Sequence, residues 1–87
     1  MDVKDLKSKI VDKEIMLEVR YDDFELETRG IVEEVEKAEN GIKIILRNNT
    51  TVYTSYDYII EDEEALFFME RISDSQELIL ALLKIVG

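Results

Sequence analysis

The chain has 87 residues, enough for one compact core and too few for two, and no Gly-, Pro- or Ser-rich stretch divides it. Eleven basic residues against twenty-one acidic ones leave a net charge of −10, a balance that repels phosphate backbones and anionic lipid and favours a basic partner. With neither cysteine nor histidine, the chain has no disulfide framework, thiolate nucleophile, zinc or haem site, or imidazole-based catalysis.

Hydrophobic residues make up 46% of the chain and alternate regularly, so a single folded domain over residues 1–87 is expected despite the charge. Residues 1–10 lack an apolar stretch of the secretory type, which makes the cytoplasm the default location. Charge is uneven. Residues 21–40 sum to −6 and 57–77 to −7, while 41–56 sum to +2.

A short helix opens the chain, with Asp2 as its cap and Val3, Leu6 and Ile10 on one face. Ile15, Leu17, Val19 and Tyr21 then alternate with polar residues as a first strand ending at Asp22-Asp23. A second strand from Phe24 puts Leu26, Thr28, Gly30 and Val32 on one face, and its phase slips at Glu33-Glu34, predicting a bulge and a bend. Asn40-Gly41 predicts a type I′ hairpin turn into a third strand through Ile42, Ile44 and Leu46. Asn48-Asn49 makes another turn, and the Thr-, Tyr-, Val- and Ile-rich residues 50–60 read as a fourth strand. An acidic loop, Glu61 to Glu64, precedes a fifth strand over Ala65 to Ile72. Asp74 and Glu77 are placed as a capping box for a final helix from Ser75 to Val86. The expected fold is therefore mainly β: a five-stranded antiparallel meander or small barrel with an N-terminal and a C-terminal helix.

Eight of the nine residues from Leu78 to Val86 are apolar. A helix so hydrophobic needs cover on more than one side, and each uncovered Leu or Ile forgoes about 1.5–3 kcal/mol. Self-association through Leu78, Ile79, Leu82, Leu83 and Val86 is the expected solution, making the protein a homo-oligomer.

Gly30, Glu36 and Asn40, with the long bent second strand and the N-terminal helix, carry a resemblance to the Sm-like and SH3-like small barrels over residues 3–72. Sm-like proteins have a glycine on the second strand, an acidic residue six positions later, and an asparagine ten positions after the glycine. The resemblance implies a barrel and, for Asn40, a place in a uracil pocket. The arginine-glycine pair that completes that pocket in the family is replaced here by Glu61-Asp62-Glu63-Glu64, so the RNA-binding role does not carry over.

No constellation points to catalysis, since the acids sit on alternating strand faces or in an open loop. Asp57 with Glu61 to Glu64 lacks the spacing of a calcium loop, so no metal or other cofactor is expected. The function expected is that of a non-enzymatic module whose acidic face binds a basic protein partner, with nucleic acid and membrane disfavoured as partners. The candidate contacts are Glu25, Glu27, Glu34, Glu36, Glu61, Asp62, Glu63 and Glu64, with Tyr53 as an exposed aromatic anchor. Two alternatives stand beside it. Alternate strand carboxylates lie about 6.6 Å apart, close to two phosphate steps, so Glu25, Glu27, Glu34 and Glu36 suit an acidic nucleic-acid mimic of the kind phages and mobile elements encode. The other alternative is a divergent Sm-like RNA binder.

Overall fold

A computed structural model describes residues 1–87. One helix and seven strands follow in chain order: α1 (Val3–Ile10), β1 (Glu14–Arg20), β2 (Glu25–Ala38), β3 (Gly41–Leu46), β4 (Thr51–Ser55), β5 (Tyr58–Asp62), β6 (Ala65–Ser73) and β7 (Gln76–Ile85). The strands form one antiparallel sheet in the order β4-β3-β2-β1-β7-β6-β5. β4 and β5 are its two edges, and the sheet is not closed.

The helix begins as its sequence predicts. The Asp2 carboxylate accepts from the Asp5 amide at 2.9 Å, and the Asp5 carboxylate accepts from the Asp2 amide at 3.4 Å. Leu6 and Ile10 are fully buried. α1 runs beside the stretch of β2 that β1 leaves unpaired, joined through Asp12 N–H to the Val32 carbonyl and Val32 N–H to the Lys13 carbonyl. Lys7 reaches Glu34 of β2 at 3.1 Å, and Lys9 pairs with Glu61 of β5. The expected phase slip is a bulge between Val32 and Glu34.

The C-terminal helix is not formed. Residues 76–85 are β7, which lies inside the sheet between β1 and β6. A strand with neighbours on both sides that carries apolar residues on both faces has the same continuous hydrophobic run as a buried helix, and periodicity alone does not separate them. Asp74 and Glu77 form no capping box: Asp74 and Ser75 are the two-residue turn of a hairpin in which Ser73 faces Gln76, and Glu77 faces Arg71 within the sheet. Inside the curled sheet, Ala81 and Leu83 join Leu17, Val19, Leu66 and Phe68 in the core.

The strand count differs for a second reason. Residues 50–60 break at Tyr56-Asp57, so that β4 and β5 lie on opposite edges of the sheet. Only two residues link them, so Ser55 and Tyr58 are at most about 11 Å apart and the sheet must curl until its edges approach. The Tyr56 amide bonds to the Asn40 carbonyl and the Asp57 amide to that of Met69, which pins the link to both halves. The Tyr56 ring meets Phe68 edge-on at 5.4 Å. The break reverses the parity of the strand beyond it: Val52 and Thr54 are buried, whereas Ile60, at the same even spacing, is exposed.

Two turns also differ from expectation. Glu61 and Asp62 end β5, so the acidic segment is a hairpin with Glu63-Glu64 at its tip. The β2–β3 turn is Glu39-Asn40, one residue earlier than a turn centred on Asn40-Gly41, because Ala38 pairs with Gly41. Asn40 takes the positive φ of 59°, as its short polar side chain tolerates. Gly41 is required by close approach: a Cβ there would lie 2.1 Å from the Thr54 carbonyl oxygen.

Candidate functional site

The alternation of each strand sorts the charged residues onto the outer face, and the pairing register places them relative to one another. Glu25 faces Arg20 across β1–β2 and pairs with it at 3.6 Å. Glu27 faces Glu18, so two carboxylates stand directly opposite with no cation paired to either. Glu36 is exposed and faces Lys43 of β3. Glu34 is held differently. It accepts the Val35 amide at 2.9 Å and pairs with Lys7, and these two contacts, the amide first, hold its carboxyl below the usual carboxylate range. The bulge separates Glu25 and Glu27 from Glu34 and Glu36, so the four do not make one uninterrupted row.

Of the second acidic cluster, Glu61 is engaged by Lys9, while Asp62, Glu63 and Glu64 project from the exposed β5–β6 hairpin with no ion pair. Asp57 is turned away from them and accepts the Arg71 amide at 2.8 Å. No group of three or more carboxylates converges as metal ligands would. The largest depression, about 550 Å³, lies beside the C-terminal residues and is lined by Glu64, Ala65, Lys84, Ile85, Val86 and Gly87. It brings together no pair of carboxylates and no hydroxyl.

The five residues expected to mediate self-association do not share a surface. Leu83 is fully buried, and Leu82 beside it points to the opposite face of the sheet. Leu78 is exposed near the β6–β7 turn, Ile79 is half-buried opposite Met69, and Val86 lies beyond the strand, bonded through its amide to Glu14. A helix would have gathered several of them on one side; a strand distributes them over two.

Asn40 is a turn residue whose carbonyl receives the Tyr56 amide, and it borders a cleft of about 180 Å³ with Tyr56, Asp57 and Arg71. Tyr53 projects outward from β4, where the alternation with buried Val52 and Thr54 puts it. Two aromatic residues near it were not singled out by sequence reasoning. Tyr21, grouped by spacing with the buried face of β1, lies past the strand end, and Phe24, expected to begin β2, lies before it. Both belong to the four-residue connection 21–24, closed by the Tyr21 amide bonding to the Phe24 carbonyl at 2.8 Å. Their rings are stacked at 4.8 Å, and both are exposed. The available signal was a pair of aromatics flanking the polar turn Asp22-Asp23.

No helix is long and apolar enough to cross a membrane. No known protein family, curated protein or solved structure matches this chain.

Proposed function

We propose that the protein is a non-enzymatic interaction module whose outer acidic surface engages a basic protein. The observation that carries this reading is the state of the charges. Seven of the twenty-one acids are in ion pairs and all four arginines are used in them, so most of the negative charge is exposed and uncompensated. Such a surface accelerates encounter with a cationic partner and makes association weaken as salt rises. Glu27, Glu36, Asp62, Glu63 and Glu64 are the contacts best placed for it, because none is held by a lysine or arginine of its own chain.

The N-terminal helix, the bulged and bent β2 and the curled sheet support kinship with Sm-like and SH3-like barrels, with the β5–β6 hairpin as an addition. Self-association, as part of the same reading, falls to the outward row Ile60, Phe67 and Leu82, which are neighbours across β5, β6 and β7. Sedimentation of wild type and Ile60→Asp tests that part: a dimer lost in the variant supports it, and a monomeric wild type removes it.

The main reading is tested by affinity capture from source-organism lysate at low salt, with and without nuclease. Retention of basic proteins regardless of nuclease, reduced when Glu27, Glu36 and Glu63 are changed to Gln, is the expected result. Capture that disappears with nuclease and yields RNA would overturn the reading in favour of an RNA binder.

A further inference from the structure

The connection between β1 and β2, the outer face of β4 and the β2–β3 turn meet at one end of the sheet. The Tyr21 hydroxyl donates to the Tyr53 carbonyl at 3.3 Å, and the Tyr53 hydroxyl donates to the Glu39 carbonyl at 2.6 Å. The two bonds lace three separate segments together and fix the orientation of two phenol rings. Phe24 stacks on Tyr21 with their planes 30° apart. The three rings remain open to solvent, at 39%, 60% and 40% exposure for Tyr21, Phe24 and Tyr53. An aromatic group held in place yet left uncovered departs from what burial of apolar area favours, since Phe24 forgoes most of the gain available to it.

The charges on the same segments are acidic, and the one cation beside the patch is Lys43 of β3, which faces Tyr53 across the strand pair and Glu36 on its other side. Asp22 and Asp23 lie between Tyr21 and Phe24 in the connection, and Glu39 is the turn residue whose carbonyl accepts the Tyr53 hydroxyl. None of the three is in an ion pair. The only cation over an aromatic ring in the molecule is Arg71, 5.1 Å from the Tyr58 ring centre, so no cation of the chain covers Tyr53 or the faces that Tyr21 and Phe24 turn away from each other. A second copy of the chain is a poor occupant, because it brings the same acids to the same place.

We infer that Tyr21, Phe24 and Tyr53, rimmed by Asp22, Asp23 and Glu39, form the seat for an arginine- or lysine-bearing segment of the partner; this inference rests on the acidic-module reading above. A guanidinium is weakly hydrated and planar, so it stacks on an aromatic face while its N–H groups reach the carboxylates beside it. Because the hydrogen bonds already hold the tyrosines, little side-chain freedom is lost on binding.

The test is a ¹H–¹⁵N NMR titration of the full chain with a hexa-arginine peptide at low salt, repeated with Phe24→Ala, Phe24→Tyr and the pair Asp22→Asn/Asp23→Asn. Shifts concentrated at residues 21–25, 39 and 53 are expected. Binding should weaken about two- to fivefold in Phe24→Ala and be restored in Phe24→Tyr. Neutralising both aspartates should weaken it further. Binding with shifts spread over residues 57–77, or unchanged in Phe24→Ala, would overturn the seat and leave the acidic-module reading intact. No binding of the peptide at any position would overturn both.

Discussion

One cross-strand row on the outer face contains two kinds of surface. Ile60, Phe67 and Leu82 of β5, β6 and β7 lead directly into Glu18 and Glu27 of β1 and β2, so the row passes from apolar to acidic where β7 meets β1. The matching inner row, Ile59, Phe68, Ala81, Val19 and Leu26, is apolar throughout. The inner face holds the fold with one chemistry, and the outer face divides into a half that repels its own kind and a half that does not.

Adjacent residues on opposite faces separate these roles most sharply. Phe68→Ala opens a cavity in the core and should lower stability by about 3–5 kcal/mol, whereas Phe67→Ala, one position away, should lose about 1 kcal/mol. Denaturant titration of both checks the contrast, and equal losses would mean the register is misplaced. Gly41→Ala comes next, at about 2 kcal/mol or more, since the new Cβ meets the Thr54 carbonyl and the neighbouring Ser55 backbone, which have no room to retreat.

Smaller effects probe the acidic half. Glu27→Lys turns a carboxylate pair into an ion pair with Glu18 and should stabilise the fold by about 0.5 kcal/mol, read as a raised thermal midpoint at low salt that shrinks as salt is added. Glu34→Gln should produce the smallest change. A carboxyl held below its ordinary value adds stability that is present above the unfolded-state value and is lost as pH falls through the folded one. The variant should therefore be slightly less stable than wild type near neutrality, and the difference should close as both are acidified below the carboxylate range. A difference that persists in acid would assign the effect to packing instead.

The first half of the chain was largely legible because its strands are wet on one side. Alternation identified Ile15, Leu17 and Val19 as the buried face of β1, and the slip at Glu33-Glu34 located the bulge before Val35. Asp2 was readable as a cap because its carboxylate has a purely local task. The second half obscured itself. β7 sits mid-sheet with apolar residues on both faces, the inner ones in the core and the outer ones beside Phe67 and Ile60, so Leu78 to Val86 presents no alternation, and a helix and a central strand make the same sequence. Tyr56-Asp57 carries no glycine or proline to mark the passage from one edge to the other; the turn is set by hydrogen bonds to Asn40 and Met69, both distant in sequence. The same non-local pairing hid the aromatic cluster, since Tyr21 and Tyr53 meet only through the curl of the sheet.

The division of the outer face has a direct functional test, made by titration calorimetry with a basic protein recovered by capture. One variant neutralises the acidic half through Asp22→Asn, Asp23→Asn, Glu27→Gln and Glu39→Gln; the other makes the apolar half polar through Ile60→Ser, Phe67→Ser and Leu82→Ser. The first should bind about tenfold more weakly or worse at low salt, and the second, once its fold is verified, should bind almost as wild type does. Weak binding in the second with full binding in the first would contradict that division and place the partner on the apolar half.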